Sequence, residues 1–452
     1  MTRVLIPTGA LGLGYDRAAL SRGVAARPDI IAVDGGSTDS GPAYLGRGVS
    51  KYSRAATKDE WRDLMLARAV AGVPLVIGTA GTCGTDQTVD WLFEITTELA
   101  DELGQRLRVA RLYCSQDPEL TAAAHAAGRI EALPGAPEID GGTIRSCTNI
   151  VALAGAEQIG AALATSADIV IAGRTTDTAI IAALPLMRGC HAGAAWHGAK
   201  IGECGALATT NPATGTIQID FDETGFTMEP LADSARATPY TVSAHMLYEN
   251  SDPYVLYEPG GHLDVRGARY VALSDRAVRV EGSRWVPAPY RVKLEGARIA
   301  GHQAVSLTLL RDRRYVENAR LWCDDIIARA TADTLRRIGL SSEDFDIELR
   351  LVGQDATLGA LETATVIPCE IGVLAIVTAP EEKQAVEIAK ILNPYLLHHA
   401  LTEDEPMPTM AFPFSPAEMS RGALHEFCLH HVLALDDPMA AFRLVADEVG
   451  HG

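Results

Sequence analysis

Apolar residues in the first 210 positions fall into two alternating textures. Val4-Leu5-Ile6, Ile30-Ile31-Ala32-Val33, Leu75-Val76-Ile77 and the segments 109–113 and 168–171 are short, near-continuous apolar runs. That is the pattern of strands buried on both faces of a parallel sheet. Between them, apolar residues recur at helical spacing. One segment opens on Thr57-x-x-Glu60, a capping-box pattern, turns Trp61, Leu64, Met65 and Ala69 inward and stops at Gly72. A second sets Val89, Leu92, Phe93, Thr96, Leu99 and Leu103 on one face before Gly104. A third has Asp117 as N-cap and Pro118 in its first turn. Strand, loop and helix repeating in this order predict right-handed crossovers and an α/β fold, with a doubly wound, mostly parallel sheet in the N-terminal half.

Past residue 210 the pattern loosens. A turn cluster spans 211–215, a helix-like stretch spans 242–248, and strand candidates at 276–280 and 290–294 are broken by glycine. Mixed helix and strand patterns return at 319–339, 345–352, 372–378 and 380–399. The reading is therefore a Rossmann-like domain over 1–210 with Gly-rich strand-end loops, followed by an α+β domain over 211–452.

In a doubly wound sheet, ligands bind outside the carboxyl ends of the strands. The loops expected there are 9–14, 34–41, 78–85 and 173–178, all rich in Gly, Ser or Thr. Glycine admits close backbone approach, and amides with hydroxyls can cradle a carboxylate or phosphate. Gly9, Gly12, Asp34, Ser37, Thr38, Gly78, Thr79, Gly81 and Thr82 are the candidate anion-binding residues, with Arg174 as a guanidinium clamp. Any one of these loops could be a plain βα turn; four in succession point to a shared ligand. Gly9-x-x-Gly12-x-Gly14 lacks the dinucleotide spacing, and no Walker A sequence occurs, so no nicotinamide cofactor is expected. Asp34, Asp39 and Asp177 suit hydrogen bonding, acid chemistry or a divalent metal, although Asp39 could equally be a cap.

Two short constellations carry further candidates. In 197–205, Lys200, Glu203 and Cys204 share one helical face. Lysine beside a thiol lowers its pKa, which makes Cys204 a candidate nucleophile, whereas Glu203 held near Lys200 is a candidate base. The plainer alternative is an exposed Lys–Glu pair over a buried cysteine. His245, Tyr248 and Glu249 have the same spacing, and His245 joins the binding candidates; the alternative is an exposed amphipathic edge. His425-Glu426 with His430 misses the H-E-x-x-H spacing, and there is no G-x-S-x-G elbow.

Composition narrows the partners. The 452 residues are 47% apolar and 21% charged, which indicates a folded chain, and 39 Lys and Arg against 58 Asp and Glu give a net charge of −19. So acidic a surface repels phosphate backbones and anionic headgroups, so no nucleic acid and no membrane partner is expected. The eight scattered cysteines form no C-x-x-C pair and the first residues enter a strand rather than a signal peptide. Both features favour a cytoplasmic protein with reduced thiols.

Several blocks resemble the acyclic terpene utilisation AtuA family. They are 4–9, 30–42, 77–81, 172–179, 196–205, 244–253, 257–261 and 412–418, spread over nearly the whole chain. Gly36 and Gly202 stand where relatives carry Ala. The family takes its name from a gene cluster that degrades citronellol and geraniol through acyl-CoA intermediates, so the resemblance implies carboxylic-acid or acyl-CoA catabolism. It also implies an oligomer. Longer relatives carry a fused C-terminal domain of about 100 residues, and short ones of this kind pair with a small companion subunit. The expectation is a lyase of the hydratase or dehydratase type, acting on a small anionic substrate: a hydroxy acid or its CoA thioester. The alternative is an acyl-CoA- or carboxylate-binding subunit of a catabolic complex.

Overall fold

The computed structural model describes residues 1–450, which form two compact units: 1–298 with 427–450, and Ile299–Glu426. The chain therefore parts at 298/299 and 426/427, and not at residue 210. The reason is strand pairing: Ile217–Phe221 lies antiparallel beside the first strand, Thr2–Ile6, and extends the same sheet.

That sheet has ten strands. Its centre is parallel, in the order Thr2–Ile6, Ile30–Asp34, Leu75–Gly78, Ile169–Ala172, Leu107–Tyr113. Antiparallel strands flank it: Ile217–Phe221, Gly225–Pro230, Val278–Glu281 and Arg269–Ala272 on one side, Arg443–Val449 on the other. Side chains alternate between the faces. Leu5, Ile31, Val33, Leu75 and Ile77 pack under helices Arg17–Ala25, Arg54–Ala71 and Asp86–Leu103. Val4, Ile6, Ala32, Val76 and Val170 pack against helices Ala156–Ala164, Ala179–Met187 and Ala192–Gly202. The doubly wound α/β reading therefore holds, with the antiparallel additions as its extension.

Helix starts were harder to read. The helix expected at Thr57 spans Arg54–Ala71, with Ser53 Oγ accepting from the Ala56 amide at 3.2 Å. Ser53 takes the cap, Thr57 is buried, and Ala69 faces outward. Glu60 instead accepts from the Gly12 and Gly14 amides at 2.6 and 2.8 Å, which anchors the first strand-end loop. The stretch 242–248 is a short helix, Pro239–Ala244, continued by the 3-10 turn His245–Leu247.

The second unit is α+β. Strands Asp346–Val352 and Ile371–Ala379 pair with each other, and the latter pairs with the 302–310 part of the long strand Arg291–Leu310. Helices Ala319–Ile338 and Glu382–His398 cover one face through Trp322, Ile326, Ile388 and Leu392. Among the described residues the eight cysteines form no disulfide, and Cys147 and Cys428, far apart in sequence, bring their sulfurs to 3.1 Å. No described helix is long and apolar enough to cross a membrane.

Candidate functional site

The parallel strands end side by side, with Asp34 opposite Gly78 in register, so the loops that follow emerge together. They wall a cleft of about 580 Å³ lined by Gly9, Asp34, Ser37, Asp39, Thr82, Asp177 and Cys204 among others. Every one of the four glycine-rich loops contributes to this wall or packs directly beneath it. Gly9 is required by close approach: a Cβ there would stand 2.7 Å from the backbone carbonyl of Cys204. Gly84 is required likewise, since its Cβ would meet the Arg174 amide at 2.2 Å. Thr82 is held at φ 70°, a strained conformation for a β-branched residue, where its hydroxyl accepts from the Lys51 amide at 3.3 Å.

Beneath the cleft floor lies a buried strut. Arg174 donates from Nε and Nη2 to the two oxygens of Glu295 at 3.0 and 3.3 Å, and from Nη1 to Thr79 Oγ1 at 3.1 Å. Lys293 and Thr38 also donate to Glu295, each at 3.0 Å. Burial alone would raise the Glu295 carboxyl, but Arg174 and Lys293 pull it down to about 2. The guanidinium is thus spent on Glu295 and is no clamp reaching into the cleft. Thr38 and Thr79 bond within this strut, whereas Gly78 packs on Thr175, Gly81 on Thr88 and Gly12 on Tyr52. Glu295 was missed in the sequence; its only signal is the alternation of Val292 and Leu294, buried on one face, with Lys293 and Glu295 on the other.

Helix Ala192–Gly202 supplies the back wall. Gly193–Gly202 are all buried, with Trp196 stacked on Trp285 at 5.0 Å and Gly202 pressed between Ile6 and Ile219. His197 is a core histidine: it bonds Ser283 at 2.7 Å and Tyr270 at 3.2 Å, and burial pushes it down to about 3. Lys200 donates to Glu203 Oε1 and, at 2.9 Å, to the Tyr248 carbonyl. Lys200 and Glu203 are 3% and 6% exposed, which removes the surface-pair alternative. His245, at 4%, is equally removed from an exposed edge. Its ring stacks on Tyr248 at 5.4 Å.

Carboxylates crowd the site. Burial raises Asp34 well above its ordinary range, helped by Asp177; Arg174 and the Gly36 amide, 2.9 Å away, oppose the shift. Burial raises Asp177 too, against the pull of Arg174 and Lys200. Glu203 is pushed up to about 8 by burial despite Lys200, with Asp177 and Glu258 adding to the rise. Burial and Glu203, Asp34 and Asp177 together push the Cys204 thiol up, outweighing Lys200. These surroundings oppose the expected thiolate activation, since desolvation and the neighbouring acids outweigh the one ammonium. Asp39 sits exposed at the rim, accepting from Ser37 Oγ; the turn is capped by Ser37 and not by Asp39. Among the described residues, the three side chains gathered closely enough to share a cation are Glu203, Cys204 and His245.

Glu258, the second residue absent from the sequence-based candidates, accepts from Thr178 Oγ1 and is pushed up to about 7 by burial, Asp177 adding to the shift. In the folded chain it keeps its proton between about 4.5 and 7, where the unfolded chain has lost it. Stability therefore falls as pH rises through that window and levels off above it. Glu258→Gln, which retains an acceptor for Thr178, is expected to raise stability by about 1–3 kcal/mol at pH 8 and not at pH 4.5. Urea unfolding at the two pH values measures this, and an unchanged midpoint at pH 8 would contradict it.

A family model described as acyclic terpene utilisation family protein AtuA matches residues 59–411, and the chain belongs to this family. Loops 9–14 and 34–41 precede the matched stretch, whereas Asp177, Lys200, Glu203, Cys204, His245 and Glu295 lie inside it. No curated protein and no solved structure matches the chain.

Proposed function

We propose that this AtuA-family chain is a catabolic lyase of the hydratase or dehydratase type. It moves a proton at the carbon next to an acyl carbonyl, on a small β-hydroxy acid or its CoA thioester. The observation that carries the reading is that Asp34 and Asp177 face one glycine-walled cleft in unequal surroundings. Paired carboxylates whose environments separate them supply the base and the acid of such a reaction. Asp177 lies under the influence of Arg174 and Lys200, which favour its ionised form, and its side chain is 24% exposed to the cleft. It is the base, in the place expected of Glu203, whose carboxylate is turned onto Lys200 behind Cys204. Asp34 is more deeply buried, holds its proton and is the acid for the leaving oxygen.

The charge balance also bears on the substrate. Arg174 is paired with Glu295 and Lys200 with Glu203, so neither buried cation is free to receive a bare carboxylate entering the cleft. A thioester carbonyl needs no such cation. In this reading the acyl end enters as the CoA ester.

The test is deuterium wash-in. The purified chain, with and without its small companion chain, is incubated in deuterated water with a panel of hydroxy acids and of enoyl- and hydroxyacyl-CoA esters. Exchange at the α-carbon of a thioester, or its hydration or dehydration, is expected. A panel in which no member exchanges or reacts would remove the proposal.

A further inference from the structure

Lys200 does more than neutralise Glu203. By holding the Tyr248 carbonyl as well, it ties the turn His245–Leu247 to the end of the buried helix that carries Glu203 and Cys204. Glu203, Cys204 and His245 each present one ligand atom, and these atoms lie within 4.8 Å of one another. His245 is 4% exposed, yet its Nε2 has no hydrogen-bond partner, an expense a buried imidazole rarely bears without a ligand. Its ring plane is fixed by stacking on Tyr248, 13° from parallel. Lys200 occupies Oε1 of Glu203, and Cys204 lines the cleft wall.

We infer that Glu203, Cys204 and His245 form a binding site for a borderline divalent transition metal of the zinc type, its fourth position open to the cleft. The donor set decides the class: thiolate and imidazole select zinc-like ions, whereas magnesium and calcium demand oxygen ligands. Three protein ligands and one open position are the arrangement of catalytic rather than structural zinc sites. Zinc bonds of about 2.0–2.3 Å place tetrahedral ligands roughly 3.3–3.7 Å apart, so atoms within 4.8 Å of one another need close by no more than about 1–1.5 Å on binding. Coordination takes the proton from the Cys204 thiol and releases it to solvent, leaving a metal–thiolate bond with no change in oxidation state.

Binding stands on these three residues alone; only the metal's role rests on the acid–base reading above. There it would polarise the acyl oxygen beside Asp177 and Asp34. It would also give the carboxylate of a free hydroxy acid a cation to bind.

Cobalt(II) tests the site by colour. The full chain is stripped with a chelator, freed of it, and titrated with Co²⁺ at about pH 8. One equivalent is expected to produce a thiolate-to-cobalt charge-transfer band with strong visible bands, both abolished by excess Zn²⁺. Cys204→Ser should lose the charge-transfer band, and His245→Gln should weaken binding at least tenfold. Cys369→Ser, which removes the exposed thiol of the second unit, should leave both intact. Melting curves show that each variant is folded. No band in the wild type, a band that survives Cys204→Ser, or one lost in Cys369→Ser overturns the site. Deuterium exchange without any cobalt band would leave the acid–base reading standing and remove the metal; a band without exchange on any panel member would do the reverse.

Discussion

Glu295→Gln is expected to cost about 3–5 kcal/mol of folding stability, the range for leaving a buried charge without its partner. Arg174 is 6% exposed, and Glu295 is its only carboxylate at bidentate range; Asp177 stands 3.5 Å away and faces the cleft. Glutamine keeps one acceptor oxygen but removes the charge that Arg174, Lys293 and Thr38 converge on. The sign with pH follows from the depressed carboxyl. With a folded value of about 2 against an ordinary 4.5, the Glu295 contribution is complete above pH 4.5 and is lost as pH falls from there toward 2. Wild type and variant should therefore differ most near neutrality and converge in acid. Arg174→Leu should destabilise comparably, and its effect should appear as loss of folded protein before any change in substrate affinity. Glu317→Gln, at the exposed Arg313–Glu317 pair, is the control and should change nothing measurable. Chemical unfolding at pH 7 and pH 3 decides the matter; a loss below about 1 kcal/mol at pH 7 would show the strut to be dispensable.

How far the sequence revealed this site depends on which residues one follows. The strands were legible because parallel strands buried on both faces read as unbroken apolar runs, and Val4 to Ile6, Ile30 to Val33 and Leu75 to Ile77 are such runs. Their loops were legible because close backbone approach needs glycine, as at Gly9 and Gly84. Direction was not legible. Arg174 looked like an anion clamp, since nothing local reveals that Glu295, 121 residues away, will take its guanidinium. Helical spacing placed Lys200, Glu203 and Cys204 on one face but could not say that the face is buried, and burial reverses the expected fate of the thiol. The boundary at 210 failed for the same reason: pairing of Ile217–Phe221 with Thr2–Ile6 is a long-range fact, and the loosened pattern past 210 reflects antiparallel strands on the same sheet.

Asp177→Asn is expected to lower kcat by 10²–10⁴-fold, roughly the contribution of a positioned general base, with little change in KM. No other acid in the cleft touches so much of the site's charge. Asp177 raises Asp34, Glu203, Glu258 and Cys204, and it is in turn held down by Arg174 and Lys200. Removing its charge relieves repulsion among its neighbours, so the variant should fold at least as well as the wild type, and lost activity cannot be assigned to lost structure. Asn preserves the shape and one acceptor for Arg174, which keeps Glu295 in any case. Asp39→Asn, at the exposed rim, should stay within about tenfold of wild type, because the Asp39 charge only adds to the rise of Asp177 and its removal favours the ionised base. The comparison separates a base from a mere charge: if Asp177→Asn retains more than about a tenth of the wild-type kcat, or if Asp39→Asn is the more damaging change, Asp177 is not the group that takes the proton.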